Sequence, residues 1–317
     1  MGISYKILGD YGKSKAFLKK SLSIYANHLP KPNKDSIMAA SFLGEVYREC
    51  GAYEEARILL EESLLTCRKY FSDSKDEDIP RIMVHLGVVY RDIGDYEKAK
   101  AFLTQGYTIF KERYPEKHTG IAMASTFLGD VYRRLQKYEE AEELLNQALI
   151  IYKSLFSDKH LSIARINAYL GNLYKDLGNY KKSKLLFQQA LALYETHFGN
   201  NHIATAQILR DFGKVCVEDR SLEDAEELLN RSLKIFLKSE HPESYISLEN
   251  LAELSLKKFT LAMKRGDVQE AQKFKQQEIE YMRQALEITQ CYFPEDSPHV
   301  TRIQNKISSI FLEKASE

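Results

Sequence analysis

Apolar residues recur at helical spacing ahead of a glycine at position 129. In "IAMASTFLGDVYRRL" they stand at Ile121, Ala124, Phe127, Leu128, Val131 and Leu135. Offsets of three and four residues put such side chains on one face of a helix. The pattern breaks at "QKY", and "EEAEELLNQALIIYKSLF" opens a second apolar face through Ala141, Leu144, Leu145, Ala148, Leu149 and Tyr152. "SDKH" closes the segment. The pattern predicts two antiparallel helices joined by a tight turn, and no stretch alternates in the manner of a strand.

The segment returns along the chain. Gly2, Gly44, Gly87, Gly129, Gly171 and Gly213 are 42, 43, 42, 42 and 42 residues apart. A fixed period of this size predicts a tandem array, in which each unit buries its apolar face against its neighbours. Glycine inside a helix costs about 1 kcal/mol relative to alanine, so its recurrence predicts close approach of the partner helix. Ala56, Ala99, Ala141 and Ala225, with Ser14 and Ser183, form a second small column. Gly9, Gly51, Gly94 and Gly178 fall at the turn, where positive φ is expected; Gln136 and Arg220 take that slot in two repeats. Tyr11, Tyr53, Tyr96, Tyr138 and Tyr180 follow two residues later, as large plugs beside the small columns.

L-G-x-x-Y followed by G-x-Y-x-x-A, with a small residue seven positions on (Ala148, Ala190), resembles the tetratricopeptide repeat. The 42-residue period, with "DKH" or "NNH" between units, is similar to the longer repeats of kinesin light chains and related bacterial proteins. The resemblance implies an all-α fold: a right-handed α-solenoid, or superhelix, of tandem helix-turn-helix units with a C-terminal capping helix. One such domain spans 1–317. Its repeats run 1–32 (truncated), 33–75, 76–117, 118–159, 160–201, 202–240 and 241–296, the last with an insertion at 258–278; residues 297–317 form the cap, through Val300, Ile303, Ile307, Ile310 and Phe311. Because Met1 aligns with Leu86, half of the first helix is missing, and an upstream domain of the same polypeptide is expected.

Composition narrows the function. Lys+Arg and Asp+Glu both number 45, a balance that gives no support for nucleic acid as partner. No apolar run approaches the length of a membrane span, so membrane insertion is not expected either. Cys50, Cys67 and Cys216 replace apolar residues of other repeats and read as small buried hydrophobes; Cys291 is unassigned. Reduced thiols suit a cytoplasmic location.

Catalytic chemistry finds no constellation. His118, His160, His202 and His241 each precede the next glycine-position residue by eleven residues. Ligands occurring once per repeat cannot converge on one metal, so a helix-start contact is expected. The carboxylate pairs Glu54-Glu55, Glu139-Glu140, Glu142-Glu143 and Glu226-Glu227 lie early in second helices, where the helix dipole favours them. No enzyme activity, cofactor or metal is expected.

One polar column stands out. Lys6, Arg48, Arg91, Arg133 and Lys175 each lie four residues after a repeat glycine, and Val217 ends the series. The resemblance implies that first helices line a concave groove with this position facing it. Five cations in register would then form a ladder suited to an acidic extended peptide, since guanidinium engages carboxylate bidentately. The alternative is a self-neutralised, solvated face, because Glu45, Glu49, Asp92, Asp130, Asp176 and Glu218 lie one or five positions after the glycines. Kinesin light chains carry asparagine three residues before the glycine position. That column here reads Ser41, Val84, Thr126, Ala168 and Arg210, so their specificity does not carry over; Asn172, Arg210 and Lys214 give the later groove a different polar character. The expected function is a non-catalytic scaffold binding protein or peptide. The alternative is a regulatory segment of a larger signalling protein, such as a nucleotide-dependent switch, acting in cis on an upstream domain.

Overall fold

The computed structural model describes residues 1–29, 32–71, 77–295 and 297–314, with side chains to residue 310. Contacts divide the chain into two compact units, Met1–Leu177 and Gly178–Glu317. The first holds α1 (Gly2–Ile7), α2 (Tyr11–His28), α3 (Lys34–Glu49), α4 (Tyr53–Phe71), α5 (Asp78–Ile93), α6 (Tyr96–Arg113), α7 (Thr119–Arg134), α8 (Tyr138–Leu155) and α9 (Leu161–Asp176). The second holds α10 (Tyr180–Phe198), α11 (Ile203–Glu218), α12 (Leu222–Lys238), α13 (Ser244–Arg265), α14 (Val268–Tyr292) and α15 (Pro298–Lys314). Among the described residues every regular element is a helix. None of those helices is long and apolar enough to cross a membrane.

The repeat glycines work by close approach. A Cβ on Gly44 would lie 2.8 Å from Leu60 Cγ, and one on Gly129 would lie 2.9 Å from Leu145 Cγ. Both leucines are fully buried, as are Ala56 and Ala141 beside them. The turn slot has φ of +73° at Gly9, +76° at Gly51, +97° at Gly94 and +73° at Gly178, and Gln136 (+60°) and Arg220 (+64°) adopt the same backbone. The following amide closes the turn: Asp95 N–H reaches Tyr90 O at 2.9 Å and Lys137 N–H reaches Tyr132 O at 2.9 Å, the Schellman geometry. The tyrosines at 11, 53, 96, 138 and 180 each open a second helix and are half-buried.

The inter-repeat histidines are helix caps. His118, His160 and His202 precede α7, α9 and α11, and Nδ1 of each accepts the N–H of Gly120, Ser162 and Ala204 at 3.1, 3.2 and 3.0 Å. The rings stack on Tyr114, Phe156 and Phe198 from the preceding helix end. One imidazole thus supplies a cap acceptor and an apolar face to the chain reversal.

Two expectations need correction. Residues 258–278 are not a separate insertion between two helices: α13 and α14 run through them and turn at Gly266, whose φ is +77°. Seven extra residues lie on each side of the turn, about two helical turns apiece, so the small-residue face returns in phase at Ala271 and Ala285, both fully buried. Cys50 is half-buried, because its column caps the C-terminus of first helices at the surface; Leu8 and Leu177 in that column are exposed. Cys67 and Cys216 are buried and Cys291 is exposed. On α15, Val300, Ile303 and Ile310 are buried and Ile307 is half-buried, whereas the side chain of Phe311 lies outside the described residues.

Candidate functional site

In the first unit the first helices form the tighter layer. α3 touches α5, α5 touches α7 and α7 touches α9, whereas among the described residues no comparable contact joins α4 to α6 or α6 to α8. The first-helix face is therefore the inner, shorter side of this unit. The five cations of the column stand on it, on α1, α3, α5, α7 and α9.

They are at most partly exposed, and all are paired. Arg48 donates to Asp92 of the next repeat at 2.9 Å and also contacts Glu49. Arg91 pairs with Asp92 at 2.7 Å and with Asp130 at 3.3 Å. Arg133 takes Asp130 at 2.9 Å and contacts Asp176, and Lys175 takes Asp176 at 2.6 Å. Lys6 contacts Glu45. The ladder is thus a half-buried zipper, with one carboxylate bridging each pair of rungs from Arg48 onward. The self-neutralisation of the alternative is present, since Glu45, Glu49, Asp92, Asp130 and Asp176 all pair with the cations, but the pairs are half-buried and not solvated.

Burial decides how each rung behaves. The Arg91 side chain is 9 % exposed, against 20 % for Arg48 and 14 % for Lys175. Arg91 lies over the Phe127 ring, 5.6 Å from its centroid, and crosses α7 to reach Tyr169 Oη on α9 at 3.1 Å. It braces three inner helices. Asp130 is held by Arg91, Arg133 and Arg134. Burial opposes its ionisation, but the three guanidiniums outweigh that and keep the carboxyl well below the usual range. Burial pushes the Lys6 ammonium down to about 8, with Glu49 opposing.

His85 sits beside this row. Its Nε2 is 2.7 Å from Glu45 Oε1 and its Nδ1 is 3.2 Å from Ser41 Oγ. The order hydroxyl, imidazole, carboxylate is that of a nucleophilic triad. Ser41 is fully buried, so no substrate carbonyl can reach its oxygen there. Burial, then Lys6, Arg81 and Arg48, hold the imidazole well below its ordinary pKa, and the neutral ring donates to Glu45.

The other expected residues lie apart from the row or in the second unit. Asn172 is half-buried on α9, one residue past Gly171. In the second unit Arg210 on α11 bonds Glu243, the residue that precedes α13, at 2.6 Å and Asp211 at 2.9 Å, and Lys214 contacts Glu253 on α13. Val217, at the ladder position, is buried. Sequence reasoning missed the brace residues Phe127 and Tyr169. Their signal was a register two residues before the glycines, shared with Phe42 and His85.

Comparison with known proteins bears on the fold. No curated protein matches. Among solved structures, BtubC (BKLC) from P. vanneervenii is 22 % identical, with a TM-score of 0.53, covering 74 % of this chain and 92 % of its own. A Rap protein solved in complex with Competence and Sporulation Factor is 13 % identical, with a TM-score of 0.58, covering 95 % of this chain and 86 % of its own. The Rap conjugation gene regulator of plasmid pLS20, solved with the Phr* peptide, is 15 % identical, with a TM-score of 0.57, covering 82 % of this chain and 77 % of its own. Family models described as tetratricopeptide repeat match residues 1–28, 35–112, 120–196 and 169–238. With the paired helices, the glycine-leucine approach and the turn geometry all agreeing, the chain belongs to the tetratricopeptide repeat family.

Proposed function

We propose that this protein is a non-catalytic interaction scaffold whose first unit binds an extended acidic peptide segment across its inner helices. The observation that carries the reading is the row of cations in one register on α1, α3, α5, α7 and α9, bridged from Arg48 onward by carboxylates of the chain itself. A ligand carboxylate would enter by exchange for one of these. Exchange keeps the cations paired but costs the displaced carboxylate its own partners, so affinity would be moderate and would fall with salt. The Rap structure solved with the Phr* peptide supports a peptide ligand for the fold.

The test uses the accessible rungs. Arg48→Gln with Lys175→Gln should weaken an acidic peptide by about tenfold, the scale of two partly exposed ion pairs, with unchanged far-UV circular dichroism. Unchanged affinity would move the site off this face. Reversal of Arg91 and Arg133 is the poorer experiment, since it would place carboxylates against buried Asp130 and unfold the unit.

A second reading, a regulatory segment whose contact with another domain is switched by such a ligand, is favoured by the likeness to a conjugation gene regulator. It predicts a ligand-dependent change in the hydrodynamic radius of the full polypeptide.

A further inference from the structure

The zipper fixes a distance scale. Asp92 takes Arg48 at 2.9 Å on one oxygen and Arg91 at 2.7 Å on the other. Asp130 likewise joins Arg91 to Arg133, and Asp176 joins Arg133 to Lys175. Two bridged nitrogens are thus separated by no more than about 8 Å, two hydrogen bonds and the width of one carboxylate. Two residues of extended strand rise roughly 6.6 Å and return to the same face. Three residues of polyproline II rise about 9.3 Å and overshoot. Alternate residues of a strand therefore fit within the limit that one gap sets, and three residues of polyproline II do not.

The three gaps are not equally open. The Asp130 side chain is 2 % exposed and is gripped by three guanidiniums, whereas Asp92 and Asp176 are 14 % and 19 % exposed. The open gaps flank the closed one, so they stand two steps, or four strand residues, apart.

We propose that the inner face of the first unit selects an extended peptide with carboxylates four residues apart. One carboxylate replaces Asp92 between Arg48 and Arg91, and the other replaces Asp176 between Arg133 and Lys175. The inference rests on the acidic-peptide reading above. Asp92 and Asp176 are, on this account, resident competitors that hold the cations ordered until the ligand arrives. The residue midway passes over the closed Asp130 gap, where a further carboxylate gains nothing. Backbone extension is part of the requirement, because the same pair on a helix would stand only about 6 Å apart.

Fluorescence anisotropy at low salt provides the test, with two labelled pentapeptides blocked at both ends, Glu-Thr-Ser-Thr-Glu and Glu-Glu-Thr-Ser-Thr. Composition and charge are identical, and threonine favours extension in both. The first should bind the full chain about fivefold tighter, the worth of one added partly buried ion pair. Asp92→Asn and Asp176→Asn, each made singly, should tighten the first peptide by about the same factor through loss of a competitor. Equal affinity of the two peptides would overturn the spacing while leaving the acidic-peptide reading standing. Binding of neither peptide, to the wild type or to either variant, would overturn both. Tightening of the second peptide alone would assign the carboxylates to a single gap and also overturn the proposal.

Discussion

Gln136 and Arg220 hold at +60° and +64° the turn backbone that glycine holds in the other repeats. A side chain there pays a steric cost that glycine does not, partly offset by glycine's greater freedom when unfolded. Gln136→Gly and Arg220→Gly should each raise stability by about 0.5–1 kcal/mol, read as a higher urea midpoint with an unchanged slope. A lower midpoint would mean that these side chains make contacts worth more than the strain. At this scale the sequence was legible wherever a residue's job is local. Glycine at a left-handed turn and the helix-start histidines follow from positions alone. Arg91 was not legible, because nothing in "VYRDIG" states that its guanidinium lies on Phe127 and ends at Tyr169, 78 residues away.

The hairpin is the unit in which helix phase is kept. The hairpin of α13 and α14 is longer than its neighbours by seven residues on each side of Gly266, and seven is close to two full turns. Removing residues 258–264 together with 272–278 should therefore leave a hairpin of ordinary length in register, still folding cooperatively. Removing 258–259 alone would turn the rest of α13 by about 200° and point its apolar face away from α14. Thermal melts followed by circular dichroism separate the two outcomes; similar melts for both deletions would refute the phase argument. Helix limits were legible to within a residue or two from the apolar period and the turn signals. The last hairpin was misread because its turn lacks the tyrosine, with Val268 in its place, and Gly266 stood outside the expected period.

Across the four hairpin steps of the first unit, the zipper ties stability to pH. Asp92 and Asp130 are held below their ordinary values, burial opposing and the neighbouring arginines prevailing. Glu243 in the second unit is lowered similarly by Arg210 and His241 against its burial. A depressed folded pKa contributes stability that is fully present above the unfolded value, near 4, and is lost as pH falls through the folded value. The urea midpoint should drop steeply below about pH 4. Asp130→Asn should flatten that drop while costing about 3 kcal/mol near neutrality, because it leaves three guanidiniums crowded in a buried site. An unchanged pH slope in Asp130→Asn would refute the assignment.

The sequence by itself determined the repeat, its two helices, its small-residue approach and the common register of Lys6, Arg48, Arg91, Arg133 and Lys175. These depend on contacts within one hairpin, or between hairpins of the same pattern, so spacing along the chain encodes them. Only the tertiary structure decided that the cations are half-buried and bridged by carboxylates 39 to 44 residues away. Those pairings depend on how far each hairpin is rotated and shifted against the next, a quantity set by the summed packing of whole helix faces. A register says which side chains share a row, whereas burial and distance within that row say which of them a ligand can reach.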